Sequence, residues 1–321
     1  MTWHAALFSS QPDKFNKVYQ KTHITEISSR CNLYPELITP QNIDLHLHEL
    51  KKINYIFSTW GMFTLSEIQL NQLPNLKVLF YAAGATDYFS APLLTRGVKI
   101  VSAWQANAIP VAEFCLAQIL LGCKGYFRNQ REYTCPERFS ALANHHFAPG
   151  NYQERVALIG AGAISQALHK RLEPFYLDVI VVPSRAEKRI ISLEEAFSTA
   201  WVISNHLPNR EDNIGVLNGA LFSRMRQGAV FINTGRGLQV NEAELLDVLE
   251  ERTDLTVLLD VTKPEPPQAN SRLFTLPNVQ LTTHIAGALN NETRRLANCV
   301  TNEFQRYLKG LPLQFDISSP V

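Results

Sequence analysis

Residues 155–165, Arg-Val-Ala-Leu-Ile-Gly-Ala-Gly-Ala-Ile-Ser, decide the fold. An apolar run, Val156 to Ile159, meets Gly160-x-Gly162-x-x-Ser165, and a helical segment follows from Gln166 to Leu172. Asp178-Val-Ile-Val-Val182 then reads as a second strand. Strand, glycine turn, helix and strand in that order form the dinucleotide-binding βαβ pattern. Gly160 makes the tight turn. Gly162 lets the backbone approach a pyrophosphate seated on the helix N-terminus, which Ala163 and Ile164 open. Ser165 takes the place of a third glycine and is small enough for close helix–strand packing.

The end of the second strand bears on cofactor choice. An NAD-binding unit places Asp or Glu about 20 residues on, to bond the ribose 2′-hydroxyl. Here Val182 is followed by Pro183-Ser184-Arg185, with Lys188 and Arg189 close behind. A carboxylate would repel a 2′-phosphate, whereas Ser184 and Arg185 can bind one, so NADP is preferred. NAD remains the alternative if Arg185 only stacks on adenine. Next, Trp201-Val-Ile-Ser-Asn-His-Leu-Pro208 reads as a strand ending in His206 and Pro208. His206 reads as a pocket-wall residue rather than a catalytic one.

Downstream, Ala229-Val-Phe-Ile232 ends in Asn233-Thr-Gly-Arg-Gly237, and a helix spans Asn241 to Glu251. Thr256-Val-Leu-Leu-Asp260 leads to Lys263-Pro-Glu-Pro-Pro267, and Leu276-Pro-Asn-Val-Gln-Leu-Thr-Thr283 leads to His284. Arg236, Glu265 and His284 thus each follow a strand-like run or its loop. In a parallel α/β sheet those are carboxyl ends of strands, where ligands bind. An arginine, a carboxylate and a histidine there make an anion clamp, an orienter and an acid/base.

Toward the N-terminus, apolar runs at His4–Ser9, Ile24–Ile27, Tyr55–Thr59, Leu76–Ala82 and Val98–Ser102 alternate with helix-like segments, predicting a parallel sheet. The loop holding Trp60 and the small-residue loop Ala82-Ala-Gly-Ala-Thr-Asp87 each follow a strand. The backbone N–H groups of Ala83, Gly84 and Ala85 could cradle an anion, although an ordinary tight turn reads the same way. Trp60 is equally a pocket wall or a core residue. Pro110 is placed to start a helix, and Val111 to Tyr126 is apolar on most faces, as in a buried helix. Its most apolar part, Val111 to Cys123, carries Glu113 and is shorter than the ~20 residues of a membrane span.

The 321 residues suggest about two domains, and a net charge of +1 argues against nucleic-acid or membrane partners bound through bulk charge. Five scattered cysteines without a CxxC point to reduced thiols and a cytoplasmic compartment, and the N-terminus lacks a signal-peptide pattern. His46-x-His48 and His145-His146 invite a metal reading, but no Cys or carboxylate completes a ligand set, so no metal is expected.

With these residues laid out, the chain resembles the D-isomer-specific 2-hydroxyacid dehydrogenase family from about Leu73 to Gly310. The motifs INTGRGLQVNEAEL, LLDVTKPEPP and LPNVQLTTHIAG, with Arg236, Glu265 and His284 in that order, carry the likeness. The resemblance implies an α/β protein with a Rossmann dinucleotide-binding domain, 104–287, inserted in a flavodoxin-like parallel α/β substrate domain, 1–103 plus 288–321. It also implies a homodimer, and reduction of a small 2-oxo acid to a D-2-hydroxy acid. Arg236 and the Ala83–Ala85 backbone would hold the substrate carboxylate, His284 would be the acid/base, and Glu265 would orient it. Thr234 would border the cofactor, and Asp260 would hold its carboxamide. Ser165, Pro183, Gly235, Asn241 and Thr283 depart from the family pattern, and the short 185–192 connection lacks room for a helix commonly found there. Two other classes stay open: a dinucleotide-sensing module or corepressor with vestigial catalysis, and a methyltransferase using the glycine turn. The second leaves the downstream Arg–Glu–His group unexplained.

Overall fold

The computed structural model describes residues 3–144 and 148–317. The chain divides into two compact units, Met1–Ala108 with Ala288–Val321, and Ile109–Gly287. Each is built on a six-stranded, mostly or wholly parallel sheet with helices on its faces.

In the first unit the strands are β1 (His4–Phe8), β2 (Asn32–Ile38), β3 (Tyr55–Ser58), β4 (Val78–Tyr81) and β5 (Lys99–Ser102), with β12 (Asp316–Ile317) added antiparallel to β5. Their order is β12-β5-β4-β3-β1-β2, the flavodoxin-like arrangement. β3 and β4 are buried along their whole length, as central strands covered on both faces must be. On one face Phe57 and Phe80 stack with centroids 5.1 Å apart. Phe304, on the helix Thr293–Leu308, meets both rings edge-on at 5.1 and 5.3 Å. That helix buries Leu296, Ala297, Val300 and Phe304, a spacing that keeps one apolar stripe on the sheet.

One expected strand is a helix. Ile24 and Ile27 lie on Lys21–Ser28, three residues apart on one helical face, with Ile27 fully buried. The true second strand, Asn32–Ile38, carries Pro35 and Glu36 and fully buries only Ile38, because it is a sheet edge. An edge tolerates proline and needs no apolar run, so periodicity alone passes over it.

In the second unit β6 (Arg155–Ile159), β7 (Asp178–Val182), β8 (Val202–Asn205), β9 (Val230–Asn233), β10 (Thr256–Leu259) and β11 (Val279–Leu281) lie in the order β11-β10-β9-β8-β6-β7. The chain reverses direction across the sheet between β6 and β8, which sets a topological switch point at the carboxyl ends of those two strands. This is a Rossmann domain. Between β7 and the helix Leu193–Thr199 there is only a 3-10 turn, Ala186–Lys188, so β7 is the edge strand.

The apolar helix begins earlier than its proline suggested. It runs Trp104–Cys123, 20 residues, with Pro110 inside it. Proline has helical φ and removes a single N–H, so one interior proline interrupts the hydrogen-bond ladder without ending the helix. By length and composition alone the helix is sufficient to cross a membrane, contrary to the shorter 111–123 reading. Its Val111, Ala112, Cys115, Ile119 and Cys123 are buried in the core of the second unit, against Val156, Leu158 and Val202.

A line of buried polar groups crosses that core. Ser204 Oγ lies 2.9 Å from His206 Nε2, His206 Nδ1 lies 3.4 Å from Thr234 Oγ1, and Cys115 Sγ lies 3.4 Å from the same hydroxyl. Burial pushes His206 down to about 3 and the Cys115 thiol up to about 12, so both are neutral in the fold. An unfolded His206 takes up a proton as pH falls through 6.5, whereas the folded one stays neutral to about 3. The stability this neutrality supports is therefore complete above 6.5 and is lost on acidification toward 3. Urea denaturation at a series of pH values should show a wild-type stability loss between about pH 6 and 4 that is steeper than in His206→Asn, by up to about 1.4 kcal/mol per pH unit. Equal slopes would show that His206 titrates normally.

Candidate functional site

The glycine turn sits at the end of β6. Gly160 has φ +109°, and a Cβ there would lie 2.4 Å from the His206 carbonyl oxygen, so no side chain fits. Gly162 caps the helix Ala163–Leu172 with no side-chain acceptor on the first-turn amides, and nothing stands within 4 Å of where its Cβ would be. An open backbone face, free N–H groups and the positive end of a ten-residue helix fit a pyrophosphate. Ser165 is buried against the sheet, its Oγ without a hydrogen-bond partner among the described residues. Ala163 and Ile164 are half-buried in the first turn.

Past β7, Ser184 is half-buried and Arg185 exposed. Arg189 folds back over this loop, donating from Nε to Pro183 O at 2.9 Å and from Nη2 to Ser184 O at 2.8 Å. A carboxylate the sequence did not place here, Asp212, is held below the usual carboxylate range. The largest cause is its paired bonds from Arg210, at 2.8 Å each, with Arg185 adding a smaller pull. The ring of His206 is committed inward by both nitrogens, so its backbone carbonyl rather than its imidazole borders the turn. Pro208 is exposed, and Thr234 is buried with its hydroxyl in the same polar line.

The three residues read as chemistry-bearing follow three adjacent strands, β9, β10 and β11. After β11, His284 sits in the left-handed region, φ +58°, and its Nδ1 lies 2.7 Å from Glu265 Oε1. Both side chains are about half exposed, 50% and 44%. Few side chains adopt such a φ, and they do so where the surroundings over-determine it. What fixes it here is Asp260, at the end of β10. Its buried carboxylate accepts from Thr282 Oγ1 at 2.6 Å, from Ile285 N–H at 2.7 Å and from Ala286 N–H at 3.0 Å. Asp260 thus grips both sides of His284. Arg236, half-buried after β9, donates from Nη1 to Gly235 O at 2.8 Å. Its backbone N–H is bonded by Gln239, a buried residue with no motif to announce it.

In the first unit, Trp60 is partly buried, packs on the core and accepts from Ser9 Oγ through its carbonyl. Ala83 is buried while Gly84 and Ala85 are half-exposed, and Ser102 Oγ braces the loop through the carbonyls of Ala83 and Gly84. His46 is bonded to Tyr34 Oη at 2.7 Å, and among the described residues no group of three or more His, Cys, Asp or Glu could hold a metal ion. His145 and His146 lie outside the described residues.

Residues 119–286 match the family model described as D-isomer specific 2-hydroxyacid dehydrogenase, NAD binding domain. The Bacillus subtilis protein YoaD is 37% identical over 139 residues, 41% of this chain and 40% of that protein. The D-3-phosphoglycerate dehydrogenase of Archaeoglobus fulgidus is 25% identical over 256 residues, 77% of this chain and 48% of that protein. The matches span less than half the length of these two curated relatives. Among solved structures, the D-mandelate dehydrogenase of Rhodotorula graminis superposes with a TM-score of 0.80 at 21% identity, over 99% of this chain and 98% of that one. With the Rossmann strand order and the glycine turn in place, and more than half of its length matching that model, the chain belongs to the D-isomer-specific 2-hydroxyacid dehydrogenase family.

Proposed function

We propose that the protein reduces 2-oxo acids to D-2-hydroxy acids with a nicotinamide dinucleotide, NADPH in preference to NADH. One observation carries the reading: the imidazole–carboxylate pair of His284 and Glu265 and the guanidinium of Arg236 follow three neighbouring parallel strands at their carboxyl ends. When bound, the dinucleotide supplies the hydride, and Gly160, Gly162 and the helix amides after them would hold its pyrophosphate. Glu265 accepts from Nδ1–H of His284, so proton exchange with the substrate falls to Nε2. In the reducing direction Nε2–H donates to the carbonyl oxygen as charge grows there; in the oxidising direction it takes the proton back. Arg236 offers a planar fork to the substrate carboxylate and stabilises the developing negative charge. The preference for NADPH rests on Ser184 and the exposed Arg185, with Arg189 bracing their loop and Arg210 offsetting the charge of Asp212.

Turnover of a panel of 2-oxo acids, glyoxylate to phenylpyruvate, with each dinucleotide tests the reading directly. Dinucleotide binding without turnover across the panel would instead favour a sensing module. In nicotinamide fluorescence titrations NADPH should bind more tightly than NADH, and the opposite order would remove the Ser184–Arg185 argument. His284→Ala should lower turnover by roughly two to four orders of magnitude and leave dinucleotide affinity nearly unchanged. A variant that turns over at the wild-type rate would take His284 out of the reaction. Arg236→Lys should lower kcat/KM by about tenfold or more, because an ammonium cannot reproduce the bidentate fork. An unchanged kcat/KM would remove Arg236 from the site.

A further inference from the structure

Three buried amides surround the peptide groups of Arg236. Gln239, 2% exposed, makes four hydrogen bonds. Its Oε1 accepts from Arg236 N–H at 3.1 Å and from Asn205 Nδ2 at 2.7 Å, and its Nε2 donates to Leu207 O at 2.7 Å and Pro208 O at 3.0 Å. Asn205, at the end of β8, donates also to Asn233 Oδ1 at 2.9 Å. That oxygen accepts in turn from Gly235 N–H at 3.1 Å, and Asn233 Nδ2 donates to Arg236 O at 3.4 Å. The turn that carries Arg236 caps the 3-10 helix Gly237–Gln239, whose Gln239 N–H also donates to Arg236 O at 3.2 Å, and these side chains hold the rest of it. A Cβ at Gly235 would come within 2.6 Å of Gln239 Oε1 and 2.8 Å of Asn205 Nδ2, so a side chain there would have to displace these amides.

Burying three amides is costly unless every group is paired, and apolar residues would fill the same space without that demand. A fully paired network gains directionality, which apolar packing lacks. Here the direction ends on the guanidinium, since Arg236 Nη1 donates to the carbonyl of Gly235, the residue whose own N–H Asn233 holds.

We propose that Gln239, with Asn205 and Asn233, is a positioning residue for Arg236: the amide network fixes the peptide groups on which the guanidinium rests, and so aims its free N–H groups at the substrate carboxylate. This rests on the assignment of Arg236 as the substrate clamp. The test is a double-mutant cycle on the full chain, with steady-state kinetics on a 2-oxo acid that the wild type reduces. Gln239→Met keeps the length and removes the polar atoms. It should raise KM by about ten- to a hundredfold, the scale of a small misplacement in a site. Dinucleotide Kd should stay within about twofold, and in an Arg236→Lys background the same substitution should change KM by no more than about twofold. Asn233→Ala, which removes the acceptor for Gly235 N–H and the donor to Arg236 O, should raise KM in the same way, and it carries the same cycle if the methionine variant does not fold. An unchanged KM in Gln239→Met, or an equal KM penalty in both backgrounds, would each overturn the proposal. An Arg236→Lys variant with wild-type kcat/KM would instead overturn the clamp assignment itself, a result separate from any outcome of the cycle.

Discussion

The carboxylate of Asp260 is the point on which the candidate site depends. It sits at the end of a fully buried strand and accepts three hydrogen bonds from the loop after the neighbouring strand. A buried carboxylate is tolerated only when its lone pairs are used. Here they are used on Thr282, Ile285 and Ala286, so His284 between them has little freedom and adopts φ +58°. The 2.7 Å approach of His284 to Glu265 follows from two loops held in register by that one group.

The neighbouring turn is built by different chemistry for the same end. Around Arg236 the work is done by neutral amides, around His284 by a carboxylate. An amide can both donate and accept, which suits a turn whose N–H and C=O both need partners; a carboxylate only accepts, which suits a loop presenting a hydroxyl and two N–H groups. Deeper in the same sheet, His206 is kept neutral by burial, its ring serving the interior while its carbonyl lines the Gly160 turn. A histidine beside a cofactor turn can thus be structural.

Much of this was legible in the residues. β7 matches its apolar run end for end, β8 and β10 lie within theirs, β6 and β9 each reach one residue beyond theirs, and the glycine turn falls between strand and helix as its spacing requires. Misreadings came where local signals serve two masters. Ile24 and Ile27, three residues apart, fit one helical face, but so short an apolar run also reads as a buried strand; Pro110 marks a helix start by preference yet lies inside one. The strand Asn32–Ile38 has its apolar residues, Leu33, Leu37 and Ile38, broken up by Pro35 and Glu36, which an edge strand tolerates.

What the sequence by itself determined was the succession of strands in the second unit and the chemistry at their ends: a glycine turn, then an arginine, a carboxylate and a histidine, each past an apolar run. These depend on patterns within a few residues, where side-chain period and turn chemistry are set locally. What only the tertiary structure decided was which polar groups face one another. Asn205 and Gln239 are 34 residues apart, and Asp260 and Ala286 are 26 apart. No local rule pairs them, because a hydrogen bond depends on position in space and the parallel sheet brings distant loops side by side at its carboxyl edge.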